Sequence, residues 1–252
     1  MVGAGPDLVL IPGQASSRET WKATADRLRG RYRLHLVQVA GFAGEPARAN
    51  AAGDVVVPTA EAIDSYIAGL NSGPVLLSGH SLGGSMALYL AQKHPEHLSK
   101  VLIVDAYAFT GLMTGALTVE QVRPVVEMLR NAPQAPGADD PNIRAMARAV
   151  ADQDRIIAWG RRSDPGVAHR AILENLMLDQ RPGLPATRTP ITVMFPDNAG
   201  MGGPPGLSRT FHSNAYRGLV PLSLVEIKES RHFIMFDQPD EFAKAFDAWL
   251  AG

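Results

Sequence analysis

Residues 79–83, Gly-His-Ser-Leu-Gly, form a Gly-x-Ser-x-Gly pentapeptide between the apolar run Pro74-Val75-Leu76-Leu77 and a helical pattern in which Leu82, Met86, Ala87, Leu90 and Ala91 recur. A turn that leads from a buried strand straight into a helix forces its central residue into a strained conformation. A β-carbon on either flank would collide with the strand or the helix. Glycine at both flanks removes the collision and leaves the Ser81 hydroxyl at the tip of the turn, which makes Ser81 the candidate nucleophile. The pentapeptide alone is a weak signal; the strand before it, and the helix that Pro95 stops after it, carry the inference. A glycine-rich turn with a passive serine is the bland alternative.

A serine hydroxyl is a poor nucleophile near neutral pH and needs a base within hydrogen-bond reach, a task suited to imidazole. Among seven histidines only His232 falls in the loop between the last strand pattern and the final helix, on the carboxyl edge that also presents Ser81. His80 adjoins the nucleophile, but strand alternation turns its side chain away, toward packing. His35 lies within a strand and His94 and His97 flank Pro95, which suits structural or solvated roles, while His169 and His212 could touch a substrate. The base in turn needs an orienting carboxylate. Asp105 and Asp197 both follow a strand pattern and both lie between Ser81 and His232 in chain order, whereas Asp237 belongs to the start of the last helix. For the negative charge that develops when a carbonyl is attacked, the backbone N–H of Leu82, at a helix N-terminus, is one natural donor.

The elements that must position these groups alternate. Strand patterns at 7–11, 34–40, 74–77, 101–104, 191–195 and 222–227 are separated by helical ones, beginning with a Ser16-x-x-Glu19 capping pattern and closing on Phe242, Ala245, Phe246 and Trp249 at helical spacing. Unbroken apolar strands in βαβα order predict a doubly wound, mostly parallel sheet of about six strands. Residues 106–189 break the rhythm with helices alone, opened at Thr118, Asp140-Pro141 and Asp164-Pro165. They read as a helical cap inserted into a core made of 1–105 and 190–252, and the stretches 132–137 and 181–190 read as its hinges or linkers. No internal repeat is present.

Composition narrows the partners. The 252 residues are 46% hydrophobic, enough for one α/β core with an insertion, and 24 basic against 25 acidic residues leave no basic stripe for nucleic acid or an acidic membrane. A small, weakly charged substrate is expected, and the oligomeric state is left open. With no cysteine there is no disulfide, thiol nucleophile or thiolate metal site. The sequence shows no run of transmembrane length and no signal-peptide pattern at 1–5, so a cytoplasmic location is the default, with a trimmed secretion signal as the alternative. Metal clusters, a phosphate-cradling loop and a dinucleotide fingerprint are all missing from the motifs, and no cofactor is implied.

The order Gly-His-Ser-Leu-Gly-Gly at 79–84, a helical insertion, an aspartate after a strand, and Ser-Arg-His-Phe at 230–233 before the final helix resembles the capped α/β-hydrolase superfamily over nearly the whole chain. That resemblance implies a catalytic triad of Ser81, His232 and Asp197; Asp105 occupies the rival acid position used by some branches. It also implies an oxyanion hole made by the N–H groups of Leu82 and Gln14. Many members carry His-Gly in the loop after the first strand, where this chain has Pro12-Gly13-Gln14, but a backbone donor does not depend on that side chain. The strand beginning at residue 7 implies that the antiparallel strands usually preceding it are absent or truncated. Serine as nucleophile argues against the haloalkane and epoxide branches, which need a carboxylate there.

The expected activity is hydrolysis of small or medium apolar carboxylic esters through an acyl-enzyme. Lactones, amides, carbon–carbon cleavage and perhydrolysis use the same triad, and a hydrolase-like ligand receptor could retain it. Tyr107, Phe109, Leu112 and Met113, entering the insertion after Asp105, are the expected pocket residues; Trp159 and Met177 also lie in the insertion but suit core packing as well as substrate contact.

Overall fold

The computed structural model describes residues 1–131, 141–198 and 204–252. The hinge expected at 132–137, the capping residue Asp140 and residues 200–203 of a glycine- and proline-rich loop lie outside the described residues.

Six strands, β1 (Asp7–Ile11), β2 (Arg33–Leu36), β3 (Val75–His80), β4 (Leu98–Val104), β5 (Ile191–Pro196) and β6 (Leu222–Ile227), form one sheet in the order β2-β1-β3-β4-β5-β6. All five pairings are parallel. The chain turns back at β1/β3, the place where open α/β sheets bind ligands beyond the carboxyl ends of their strands. Helices α1 (Lys22–Leu28), α2 (Val56–Gly69) and α3 (Leu82–Lys93) join the first four strands, and α8 (Leu207–Ala215) joins β5 to β6. The short α9 (Ile234–Asp237) and α10 (Pro239–Ala251) close the chain. Between β4 and β5 the described residues hold four helices, α4 (Val119–Arg130), α5 (Pro141–Arg144), α6 (Val150–Arg162) and α7 (Pro165–Met177), and no strand.

The strands read as unbroken apolar runs because both faces of the sheet are covered. Val9, Ile11, Leu77, Val101, Ile103 and Val193 point to a core shared with α2 and α3, while Leu8, Leu10, Leu102, Val104 and Met194 point to one shared with Trp21, Phe242 and Phe246. Alternation with a period of two therefore assigns each strand residue to one of two cores. At the first helix, Ser17 rather than Ser16 is the cap: its hydroxyl accepts from Glu19 N–H at 3.2 Å, while Ser16 Oγ donates to the Gln14 carbonyl at 3.1 Å. Thr118 and Asp164 cap α4 and α7 as their positions predict.

The β3–α3 junction permits no side chain on its inner surface. A β-carbon at Gly79 would overlap the Gly83 carbonyl, and one at Gly83 would sit 2.5 Å from the Ile11 carbonyl oxygen. Gly69, at the exposed end of α2, has open space around it and an ordinary backbone conformation. The same substitution should thus have opposite effects. Gly83→Ala should cost about 1–3 kcal/mol, and Gly69→Ala should be neutral or stabilise by up to about 1 kcal/mol. Thermal denaturation of the two variants side by side measures both.

Candidate active site

Ser81 occupies the junction at φ 54° and ψ −121°. A left-handed backbone at a non-glycine residue stores on the order of 1–3 kcal/mol and persists only where its surroundings hold it. Here its N–H donates to Val104 O at 2.9 Å, and its carbonyl accepts from Gly84 N–H at 2.7 Å and Ser85 N–H at 3.1 Å. The hydrogen bond to β4 and the first turn of α3 together fix the serine at the carboxyl edge of the sheet.

His232 reaches the same edge from the loop after β6. Its Nδ1–H donates to Asp105 Oδ2 at 2.6 Å. The structure therefore brings Asp105, not Asp197, to the imidazole, and the acid expected at Asp197 is corrected. Asp197 sits beside β6, with its N–H on Ile227 O, and its carboxylate accepts from Glu229 N–H at 3.0 Å and Ser230 N–H at 3.3 Å. It shapes the loop that delivers His232 without touching the ring. Asp105 is a left-handed residue, φ 46°, one position beyond the end of β4, and that turn directs its carboxylate toward His232. Burial alone pushes the Asp105 carboxyl up, but hydrogen bonds from His212 and His232 and the charge on those rings outweigh it and hold the group well below the usual carboxylate range. His212 is fully buried, with Nδ1–H on Ser208 O at 2.9 Å and Nε2 3.3 Å from Asp105 Oδ1. Its ring lies between those of Phe195 and Tyr107, with centroids 4.4 and 4.7 Å away.

His80 packs, as its strand position predicts, and also serves the site. It is fully buried, its Nε2–H donates to the His232 carbonyl at 3.0 Å, and the two rings lie 4.5 Å apart. Burial first, and then the charge of His232, push the His80 imidazole down to about 3, so it stays neutral. Two backbone N–H groups flank the serine. Leu82 opens α3 at the positive end of its dipole. Gln14 follows Gly13, whose α-carbon lies so close to Ser81 that an added β-carbon would stand 3.1 Å from the serine Cβ. The Gln14 side chain is tied down separately, with Nε2–H donating to Ala168 O in α7 at 2.6 Å.

Ser81, His232, His80, Gly13 and Gln14 open on one cavity of about 430 Å³. Its far wall is aliphatic: Ile143 and Met146 near α5, Ile156 and Ile157 on α6, and Ala168 and Ile172 on α7, with His169 and Arg161 among the polar lining. The pocket residues expected at 107–113 are not part of it. Phe109 and Leu112 pack instead against Val122, Val126, Leu173 and Leu176, Met113 is 72% exposed, and Tyr107 stacks on His212. The chain leaving β4 runs under α4 and α7 before the later helices return over the site. Trp159 is buried in the core against Phe236 of α9 and is not among the residues lining the cavity. Apolar stripes at Ile143/Met146 and Ile156/Ile157 are visible in the sequence, but nothing in it says which helices face Ser81.

A serine on a left-handed strand-to-helix elbow, with a histidine after the last strand and an aspartate at the same sheet edge, is the arrangement of a hydrolase built on a doubly wound α/β sheet. The chain belongs to the alpha/beta hydrolase family, which it matches over residues 8–245. It is similar to the pimeloyl-[acyl-carrier protein] methyl ester esterase of Aeromonas hydrophila, 38% identical over 102 residues that make up 40% of this chain and 38% of that enzyme. The matched stretch is thus well under half of either protein. Among solved structures, an esterase from Exiguobacterium antarcticum superposes with a TM-score of 0.78 at 20% identity, covering 100% of this chain and 94% of the other. The enol-lactonase of Burkholderia xenovorans LB400 superposes with 0.77 at 16% identity, covering 99% and 93%. Those two likenesses speak for the fold.

The geometry predicts an asymmetry between the two aspartates. Asp105→Asn should lower turnover by about 10³–10⁴-fold, because the amide no longer favours the productive tautomer or its charged form. Asp197→Asn should stay within about tenfold of the parent and show its effect as a lower Tm. Steady-state kinetics and melting curves of the two folded variants test this directly.

Proposed function

We propose that this chain is a serine hydrolase of carboxylic esters with small or medium apolar acyl groups, using Ser81, His232 and Asp105. The observation that carries the reading is the 2.6 Å hydrogen bond from His232 to Asp105 beside a left-handed Ser81, both Ser81 and His232 lining one largely aliphatic cavity. In this reading Ser81 Oγ attacks the ester carbonyl while His232 Nε2 takes its proton. Asp105 holds the ring in the Nδ1–H tautomer and stabilises the imidazolium. The oxyanion is received by Leu82 N–H and by Gln14 N–H, which makes no hydrogen bond of its own within the described residues. His232 then protonates the leaving alkoxide, an acyl-enzyme forms on Ser81, and a water activated by the same histidine releases the acid.

The cavity supports the substrate class. Its size falls in the range of small-molecule sites, and its aliphatic wall offers burial to a hydrocarbon chain but no cluster of charge for a strongly ionic one. The helices α5, α6 and α7 act here as a cap over the nucleophile. Ester hydrolysis is also the activity named for the methyl ester esterases that this chain resembles in part.

A panel of p-nitrophenyl esters of increasing acyl length, with lactones and amides beside it, tests the reading. Ester turnover should be highest, should fall by at least about 10³-fold in Ser81→Ala, and should be blocked by a fluorophosphonate that labels Ser81. Esters untouched by a folded protein that nonetheless binds apolar ligands would favour a receptor, and lactone turnover far above that of esters would move the substrate class. Filling the aliphatic wall gives a second expectation. Ile156→Trp or Ile172→Trp should shift the ratio of kcat/KM values for long and short acyl esters by about tenfold toward short ones, while Met113→Trp, outside the cavity, should leave the ratio unchanged.

A further inference from the structure

Away from the catalytic edge, at the opposite end of α3, Asp64, His94 and His97 converge. Asp64 comes from α2 and the two histidines from the turn around Pro95 that leads to β4. The Asp64 carboxylate is largely buried and its two oxygens face the two rings: Oδ1 accepts from His97 Nδ1–H at 2.7 Å, a proton that a bound metal ion would displace, and Oδ2 lies 3.4 Å from His94 Nδ1. The imidazoles are stacked parallel, 7° between planes, so both Nδ1 atoms point at the same carboxylate. One ligand atom from each of the three residues lies within 4.8 Å of the others.

The surroundings of His94 decide what this arrangement can hold. Its Nε2 lies 3.0 Å from Glu61 Oε2, and Glu61 Oε1 accepts from Tyr89 O–H at 2.6 Å. A carboxylate only accepts, so the hydrogen bond to Glu61 puts the ring proton on Nε2. In the neutral ring the Nδ1 of His94 is then a bare lone pair facing the carboxylate oxygen of Asp64. Two acceptors face each other at 3.4 Å, and a cation shared between them makes that contact attractive. A carboxylate behind the imidazole that fixes its tautomer and leaves the other nitrogen for a metal is the recurrent outer shell of histidine-ligated sites.

We propose that Asp64, His94 and His97 bind a divalent transition-metal ion of the zinc type, through one carboxylate oxygen and two Nδ1 atoms, with water in the remaining position. The donor set is the nitrogen and oxygen one that such ions accept without thiolate, and tetrahedral bonds of about 2.0–2.2 Å ask for ligand atoms roughly 3.4 Å apart. The half-exposed imidazoles close that gap by side-chain rotation. The 12 residues of α3 put about 18 Å between this site and Ser81, so the ion ties α2 to the far end of the nucleophile's helix and takes no part in the chemistry. The sequence hides the site because Asp64 stands 30 positions before the His-Pro-Glu-His turn.

Protein stripped with EDTA and freed of chelator should bind a single equivalent of Zn²⁺ in isothermal titration, at micromolar or tighter affinity, and its Tm should rise by about 4 °C or more in excess Zn²⁺. His94→Gln and His97→Gln, both at partly exposed positions, should fold and each weaken binding by at least about tenfold, and Glu61→Gln should weaken it by about tenfold through His94. Ester turnover should be unchanged in all three. Absence of saturable binding up to about 100 µM Zn²⁺, or a stoichiometric site that survives both histidine variants, would overturn the proposal. Binding that instead disappears in His232→Ala would place the ion at the catalytic histidine and equally overturn it.

Discussion

Everything at the carboxyl edge depends on a backbone conformation that the chain would not adopt unaided. Ser81 at φ 54° is held because three pieces of structure close on its flanking glycines: the Gly83 carbonyl over Gly79, the Ile11 carbonyl against Gly83, and the Ala106 methyl against Gly84. Removing side chains from that interface brings α3 close enough to β1, β3 and β4 for the Val104 carbonyl to take the Ser81 N–H. The strain is thus offset by close packing against the three glycines. The result is a serine that projects from the sheet with a helix N-terminus directly behind it, where developing negative charge is stabilised.

Asp105 satisfies a related constraint from the next strand. Because Val104 pairs with His80 and Met194 pairs with Val104, the end of β4 lies beside the elbow, and Asp105 turns through a second left-handed residue to face the histidine. A carboxylate so buried would be costly without partners. His232 engages one oxygen and His212 lies against the other, with His212 itself seated between the faces of Phe195 and Tyr107. Asp197, one strand further out, lies away from both imidazoles, and its carboxylate accepts the backbone N–H groups of Glu229 and Ser230 in the loop after β6.

The sheet was legible, and Ser81 and His232 stand out as candidates, because each rests on local rules. Glycine spacing defines the elbow, strand alternation defines two cores, and one histidine falls in the last loop. The carboxylate that meets His232 was not, because Asp105 and Asp197 carry the same local signal and differ in which strand end lies beside the imidazole. The pocket was not legible either. Ile156 and Phe109 are both apolar residues of the helical segment, yet one lines the cavity and the other fills a satellite core with Val122 and Leu173. Helix periodicity reports that a face is buried and is silent on whether protein or ligand buries it.

The helical segment does not sit on the site as a loose cover. The Glu174 carboxylate of α7 accepts the N–H groups of Val55, Val56 and Val57 at 2.6, 2.7 and 2.9 Å, capping α2 from across the molecule where its dipole favours an anion. Asp164 N–H meets the Gly41 carbonyl at 2.7 Å, and Arg170 donates to the Gly53 carbonyl at 2.9 Å. Bonds of this kind, those of Glu174 and Arg170 charge-assisted, make α7 a fixed wall, and the hydrogen bond from Gln14 to Ala168 fastens the Gln14 loop to that wall. The same helix therefore lines the cavity and holds the Gln14 loop in place. Ala168 and Ile172 line the cavity from the element that also holds the Gln14 loop, so under the proposed ester hydrolysis shape selection and transition-state stabilisation would act through one rigid body.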